Sequence, residues 1–345
     1  MSTLNFISVI VTTRNRSTLL NNFLFFIQNQ TIKYSDYEII VIDNGSNDKT
    51  FTIVENHKKK IPNIRYIYEP MPGLHSGRNR GLSESKGDIL VYTDDDTQPF
   101  PNWLKEIRES FEKQSNVAIV SGKILPIFET RPPDWIKLMW NKKTLGYQVL
   151  GHLSLLDLGN KSIFVSSDYI FGANFSIRRL FLEQAKGFHP DGMPERFAKY
   201  RGDGESYVAE YVESQNHKIL YNPQASIYHY VSNSRMTIKY FCRHSFNQGI
   251  SDSYRLTRKN CNVKNEILLS QKRRLQVPEK NIISRIKNSF LEKIYQRTDK
   301  KLEIIQSKAN EFRQKGLIFH QNEIKKDPHL LQWVLQDDYR NKSIC

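Results

Sequence analysis

Ile89-Leu90-Val91-Tyr92-Thr93-Asp94-Asp95-Asp96-Thr97-Gln98-Pro99 is the stretch on which the reading of this chain turns. Its first four residues are apolar and follow the polar Lys86-Gly87-Asp88, the pattern of a short buried strand. Three carboxylates come next, and Gln98, Pro99 and Pro101 are expected to turn the chain out of extended structure. In an extended segment residues two apart share a face, so Asp94 and Asp96 are expected to converge while Asp95 points away. Like charges this close repel, and a hard divalent cation relieves the repulsion. A small set of oxygen ligands suits Mg²⁺ or Mn²⁺, which fill their shells with water and substrate phosphates. Taken alone, such a run is more often a solvated acidic turn. Its surroundings decide the matter.

Upstream, two more apolar runs end in polar tips. Phe6-Ile7-Ser8-Val9-Ile10-Val11 leads to Thr12-Thr13-Arg14-Asn15-Arg16, and Tyr37-Glu38-Ile39-Ile40-Val41-Ile42 leads to Asp43-Asn44-Gly45-Ser46-Asn47-Asp48. The spacing of Leu19, Leu20, Phe23, Leu24 and Ile27 predicts a helix from Ser17, its N-cap, to about Asn29. A second helix is expected from about Lys49 to Lys58, then a strand at Ile64–Tyr68. Strand, polar tip and helix in repetition predict an α/β sheet with mostly parallel strands. In such sheets ligands bind beyond the carboxyl ends of the strands. Three polar tips on one edge turn the acidic run into a candidate site.

Gly73-Leu74-His75-Ser76-Gly77-Arg78-Asn79-Arg80-Gly81 lies just ahead of the acidic strand. It reads as flexible backbone with two guanidinium forks, suited to phosphate, and a helix start. Arg78, in the glycine-rich part, is the candidate phosphate ligand.

Together, Ile7 to Arg16, Ile40 to Ser46, Gly73 to Gly81 and Thr93 to Asp96 resemble the nucleotide-sugar half of family 2 glycosyltransferases of the GT-A fold. The resemblance spans roughly residues 5 to 230. It implies a GT-A, Rossmann-like sheet over residues 1–230, with a nucleotide-sugar half (1–122) and an acceptor half (123–230). A basic helical extension is expected over 231–345. It also implies inverting transfer of a sugar from a nucleoside diphosphate, with a UDP-sugar favoured, to the hydroxyl of a glycan or lipid-linked glycan. Asp43 resembles the residue that pairs with the base, and Thr12 and Arg14 line the same pocket. Asp94 and Asp96 resemble the D-x-D pair, the first against ribose and metal shell, the second on the metal that bridges the diphosphate. Asp95 is counted with the donor-binding residues, and His229 falls where such enzymes often place a metal-binding histidine. The implied cofactor is a divalent cation, Mn²⁺ or Mg²⁺, which stabilises the charge of the departing diphosphate without a proton.

Single-displacement inversion requires one base for the acceptor proton. Arg201-Gly202-Asp203-Gly204-Glu205 offers two carboxylates. Counting back from Tyr221-Asn222-Pro223 without gaps matches Glu205 to the family's base, whereas matching Gly202 favours Asp203. The shorter Asp203, held between two glycines that let backbone and sugar come close, is the choice made here. Gly172-Ala173-Asn174 is expected to let the backbone approach the sugar. Phe128 to Leu150 lacks periodicity and is expected to be a mobile acceptor loop.

Charge is uneven along the 345 residues. Residues 231–345 carry 24 Lys/Arg against 11 Asp/Glu, a net +13 of the chain's +15. An acidic partner follows, either an anionic membrane surface or nucleic acid. Of these, peripheral contact with an anionic membrane at its inner face is the expectation for the basic tail, and no nucleic-acid partner is expected. In the extension, a helix is expected over 236–256 and a linker over Gln271–Glu279. An apolar stripe runs through Ile283, Ile286, Phe290 and Ile294, and a docking segment over Pro328–Tyr339. Three cysteines without ligand spacing, no leader and no long apolar run predict a soluble cytoplasmic protein. Two other classes stay open: a nucleotidyltransferase that makes nucleotide-sugars, although its glycine-rich first turn is missing here, and a basic nucleic-acid-binding protein.

Overall fold

The computed structural model describes residues 6–144, 146–265 and 289–340. The expected linker at Gln271–Glu279 and the stripe residues Ile283 and Ile286 lie outside them, as do the side chains of Phe290 and Ile294. From the N-terminus come β1 (Ile7–Thr13), α1 (Ser17–Ile27), β2 (Tyr37–Asp43), α2 (Thr50–Lys58) and β3 (Ile64–Tyr68). They are followed by α3 (Leu74–Glu84), β4 (Ile89–Asp94), β5 (Thr97–Pro99), α4 (Trp103–Lys113) and β6 (Val117–Ser121). Next are β7 (Ile124–Phe128), α5 (Asp134–Asn141), β8 (Lys143–Thr144), β9 (Tyr147–Leu150), β10 (Leu155–Asp157) and β11 (Ile163–Phe164). Then β12 (Asn174–Arg178), α6 (Arg179–Gln184), α7 (Gly204–Ser214), β13 (Lys218–Tyr221) and β14 (Ile227–Val231). Helices α8 (Ile238–Asn265), α9 (Ser289–Lys326) and α10 (Pro328–Val334) complete the described chain.

The larger sheet has the order β11-β13-β6-β12-β4-β1-β2-β3. β3, β2, β1 and β4 run parallel, and β12 enters antiparallel beside β4. β1 and β2 are buried along their whole length, as strands covered on both faces must be. Val9, Val11, Ile39, Val41 and Val91 face Leu20, Phe23, Leu104 and Ile107. Ile10, Ile40, Leu90 and Tyr92 face Phe181, Leu182, Val208 and Val212 on the other side.

Register places the polar tips. Thr12 stands opposite Ile42 on one side and Asp94 on the other, and Thr13 stands opposite Asp43. Asp43 and Asp94 therefore lie at one level of the sheet's carboxyl edge, two strand spacings or about 10 Å apart. Helix α3 closes on this edge by means of glycine. A Cβ at Gly77 would meet Thr12 Cγ2 at 2.4 Å, and one at Gly81 would meet Ile10 Cγ2 at 2.3 Å. The stretch expected to be flexible backbone is thus helix from Leu74 onward. Its glycines, each costing about 0.5–1 kcal/mol in a helix, serve packing on β1.

Three further expectations are corrected. Thr97-Gln98-Pro99 stays extended as β5, at the edge of the smaller sheet, β5-β14-β7-β10-β9-β8. An edge position is where a strand tolerates the missing N–H of proline. Residues 128–144 and 146–150 are no mobile loop either, for α5, β8 and β9 run through them. Trp135 is buried there, edge-on to Phe241 at 4.8 Å. Ser17 also gives no N-cap to α1; Arg16 holds that position, and Asp48 accepts the Ser17 N–H at 2.9 Å.

The C-terminal segment docks as expected, with Leu330, Trp333, Val334 and Tyr339 buried. Among the described residues no helix is long and apolar enough to cross a membrane. Helices α8 and α9 meet backbone to backbone. A Cβ on Gly249 would stand 1.9 Å from Arg313 O, and one on Gly316 1.9 Å from Phe246 O. Gly249→Ala is expected to destabilise the protein by about 1–3 kcal/mol, as overpacking does. The gain of about 1 kcal/mol in helix propensity cannot offset a clash with main chain. Urea titration checks this, and an unchanged or raised midpoint would contradict the crossing.

Candidate active site

Asp94, Asp96 and His229 offer one ligand atom each, all within 4.8 Å of one another. Asp94 and Asp96 do converge, but not by strand alternation: β4 ends at Asp94, and Asp95 and Asp96 form a turn, across which Thr97 Oγ1–H donates to Asp94 O at 2.9 Å. Histidine arrives by strand pairing. β14 pairs antiparallel with β5, His229 opposite Thr97, and Tyr230 N–H donates to Asp96 O at 2.8 Å. The extended Thr97–Pro99 is therefore what brings residue 229 to residue 96.

The donor set fits a divalent cation. Adjacent ligands of an octahedral ion at about 2.1 Å stand about 3 Å apart, and His229 Nε2 lies 3.3 Å from Asp96 Oδ1. That Oδ1 is buried without a hydrogen-bond partner. Two carboxylates and an imidazole suit Mn²⁺ at least as well as Mg²⁺, which prefers oxygen alone. Arg235 Nη1 donates to the same Nε2 at 3.0 Å, so that hydrogen bond and a metal bond exclude each other.

Asp95 points the other way. It is 1% exposed, accepts Thr13 Oγ1–H at 2.6 Å and pairs with Arg16 at 2.8 Å. Arg16 also reaches Asp96 Oδ2 at 2.5 Å. Burial pushes the Asp95 carboxyl up to about 7 against the pull of Arg16, and its acidic neighbours add to the rise. Burial acts upward on Asp96 too, but His229, Arg16 and Arg235 outweigh it and hold Asp96 well below the usual carboxylate range. Arg16, rather than Arg14, is thus the tip's contribution to the acidic cluster. Asn15 between them takes φ 53°, a left-handed turn that asparagine tolerates. Arg14 is left exposed, with no hydrogen bond or ion pair among the described residues.

Asp43 is 3% exposed and accepts Ser46 N–H at 2.8 Å and Tyr66 O–H at 2.6 Å. Thr13, and not Thr12, stands beside it in register; Thr12 is level with Ile42 and Asp94 and is buried, its Oγ1 without a partner. Arg78 is no free phosphate ligand. Its guanidinium is buried and donates to Asp94 Oδ1 at 3.0 Å and to Gly172 O at 2.9 Å. A Cβ at Gly172 would lie 2.4 Å from Arg78 Nη1, so the space read as room for a sugar is filled by arginine.

Arg78 leads to one of the two candidate bases. Glu205 Oε2 lies 3.4 Å from Arg78 Nη1 and 2.9 Å from His75 Nε2, and Oε1 accepts Gly172 N–H at 3.0 Å. Burial raises the Glu205 carboxyl, yet His75 and Arg78 outweigh it and hold it well below its ordinary value. Asp203 is not brought to this cluster. It pairs with His189 Nδ1 at 2.9 Å, and Ser251 of α8 holds the neighbouring Gly202 O at 2.6 Å. Gly202 serves that packing, since a Cβ there would lie 2.9 Å from Pro190 O. Arg16, Arg235 and His75 are the site residues that the sequence reading passed over. Arg16 was visible as one of two arginines in its tip; Arg235 and His75 carried no signal.

Residues 8–183 match the family model described as glycosyl transferase family 2. Curated relatives include the glycosyltransferase AglE of Haloferax volcanii, 35% identical over 124 residues, 36% of this chain and 40% of that protein. The poly(ribitol-phosphate) beta-glucosyltransferase of Bacillus spizizenii is 28% identical over 227 residues, 61% of this chain and 34% of its own. The chain thus spans between about a third and two-fifths of the length of these relatives. A mannosyltransferase from Pyrobaculum calidifontis, crystallised with GDP-Man and Mn²⁺, superposes with a TM-score of 0.51 at 16% identity. That match covers 96% of this chain and 84% of the other, and the shared architecture is the GT-A α/β fold.

Asp96→Asn is expected to weaken Mn²⁺-dependent binding of a nucleoside diphosphate at least about 10-fold, or 1.4 kcal/mol. Asp95→Asn, facing Thr13 and Arg16, should lose less. Calorimetric titration with and without chelator measures both, and wild-type affinity in Asp96→Asn would remove this residue from the metal site.

Proposed function

This chain belongs to glycosyl transferase family 2, and we propose that it is a metal-dependent inverting enzyme moving a sugar from a nucleoside diphosphate to an acceptor hydroxyl. The observation that supports this reading is one edge that gathers the buried carboxylate of Asp43, the Asp94-Asp96-His229 cluster and the partly exposed Glu205. Asp43 accepts an N–H of the nucleotide base, with Thr12 between it and Asp94 on the adjoining strand and a uridine nucleotide favoured. About 10 Å along the edge, Asp94, Asp96 and His229 hold Mn²⁺ or Mg²⁺, which when bound compensates the charge of the diphosphate. Arg16 and Arg235 add positive charge there.

Glu205 is the base. Its side chain is 22% exposed and tied through Arg78 to Asp94, whereas that of Asp203 is 5% exposed and faces His189. Glu205 takes the proton of the acceptor hydroxyl as its oxygen attacks the anomeric carbon. The bond from that carbon to the diphosphate breaks on the opposite face, its electron pair leaving with the phosphate, and configuration inverts once. The carboxylate is ionised at neutral pH because His75 and Arg78 favour its charged form.

The acceptor is a glycan or lipid-linked glycan, and the reaction belongs to surface-glycan or polysaccharide assembly, in keeping with the names of the curated relatives. The protein works in the cytoplasm, and residues 231–345, with a net charge of +13, form a basic extension in peripheral contact with acidic lipid. No observation favours the nucleotidyltransferase or nucleic-acid readings.

A panel of nucleotide-sugars with Mn²⁺ is expected to yield one whose saturating addition raises the melting temperature, because a ligand of the native state stabilises it. No response from any nucleotide would overturn the donor assignment. Glu205→Gln should lower transfer about 10²–10⁴-fold with donor affinity kept. Asp203→Asn should keep transfer but lower thermal stability through its bond to His189. Loss of transfer in Asp203→Asn alone would return the base to that residue.

A further inference from the structure

The proposed base has a partner that the reaction itself does not require. His75, on the first turn of α3, is 1% exposed and sets Nε2 2.9 Å from Glu205 Oε2. The chain clears room for this contact. Gly204 takes φ +52°, and a Cβ there would lie 2.7 Å from His75 Cε1. Arg78 Nη1 stands 3.1 Å from the same Nε2, so that nitrogen can accept from the guanidinium or donate to the carboxylate, but not both. The shorter contact, 2.9 Å to Glu205 Oε2, would set lone pairs face to face without a proton between them, which assigns the proton to Nε2 and leaves the Arg78 N–H to Glu205 Oε2 at 3.4 Å. Nδ1 is buried without a partner and does not compete for that proton with any acceptor.

Asp191 lies close enough to complete a His75-Asp191-Glu205 cluster. Cations already serve these carboxylates, however: Arg201 Nη2 is 2.6 Å from Asp191, and Arg78 reaches Glu205. The cluster is a charge-balanced support and not a second metal centre. Within it Glu205 is clamped from two sides, by Gly172 N–H on Oε1 and by His75 on Oε2. Glu205 is reachable from solvent, while His75 lies behind it.

We propose that His75 is a positioning residue for Glu205, donating Nε2–H to one carboxylate oxygen so that the carboxylate is aimed at the acceptor hydroxyl. This rests on Glu205 being the base. A side chain at the end of a helix-borne carboxylate has several rotamers, and a buried donor behind it selects one. Transfer to water serves as the assay, using the donor that best stabilises the wild type among UDP-glucose, UDP-GlcNAc and GDP-Man, with Mn²⁺.

His75→Ala is expected to lower kcat for donor hydrolysis about 10²-fold, the lower end of a positioned base's contribution, with donor KM and affinity within about 2-fold. His75→Gln, whose amide N–H can stand in for Nε2–H, should recover most of that loss. In Glu205→Gln, adding His75→Ala should cost nothing further, whereas a purely structural histidine would lower the rate again. Nitrogen-15 spectra of the intact protein should find the Nε2–H tautomer. Wild-type kcat in His75→Ala, failure of His75→Gln to rescue, full additivity in the double variant, or the Nδ1–H tautomer would each overturn the proposal. A wild-type rate in Glu205→Gln would instead remove the base assignment beneath it.

Discussion

Three adjacent carboxylates at the end of a buried strand are the constraint that this structure has to satisfy. Asp95 and Asp96 are nearly inaccessible to water, and an uncompensated charge in such a place is costly. Each acid meets a cationic group from elsewhere in the chain. Arg78 of α3 serves Asp94, Arg16 from the tip after β1 serves Asp95 and Asp96, and Arg235, just beyond β14, stands 3.7 Å from Asp96. Separate parts of the chain are thereby drawn to one edge. The proposed cation and diphosphate would enter a place whose electrostatics are already balanced, so binding there exchanges partners and does not create charge from nothing.

The exchange is clearest at His229. Its Nε2 accepts from Arg235, and a cation on that nitrogen would release the guanidinium. Released, Arg235 would keep its positive charge beside the proposed diphosphate.

Much of this was legible in the sequence because it is local. Apolar runs with polar tips decided the sheet edge, and the three acids were found at the end of one of them, although the turn at Asp95–Asp96, and not alternation along a strand, is what makes Asp94 and Asp96 converge. What escaped depends on contacts between distant segments. Pro99 suggested a break, yet pairing with β14 kept it extended at a sheet edge. Arg14 and Arg16 are indistinguishable by composition, and only the left-handed Asn15 separates them. Asp203 and Glu205 differ by two positions across the start of α7, so they face opposite ways. Glycines around them were read as room for sugar, whereas they make room for Pro190 O, Tyr254 and His75. Phe128 to Leu150 lacks periodicity because it passes from strand to helix to hairpin within about twenty residues, too briefly for any one period to register.

The brace beneath the Asp203 loop has a consequence in time. Every residue of the cation site and base pocket lies before residue 236. The segment ahead of Glu205 is instead fastened by groups far downstream: Trp333 Nε1 donates to Tyr200 O at 3.0 Å, His320 Nε2 to Lys199 O at 3.1 Å, and Tyr254 meets Tyr339 at 2.8 Å. A ribosome adds residues at about 5–20 per second, so the last brace emerges on the order of 5–20 s after the donor edge is complete. In that interval Gly172, His75 and Arg78 can already hold Glu205, but the segment from Lys199 to Gly202 still lacks its downstream fastenings. The order of synthesis therefore leaves the loop that carries Asp203 as the last part of this edge to be fixed in place.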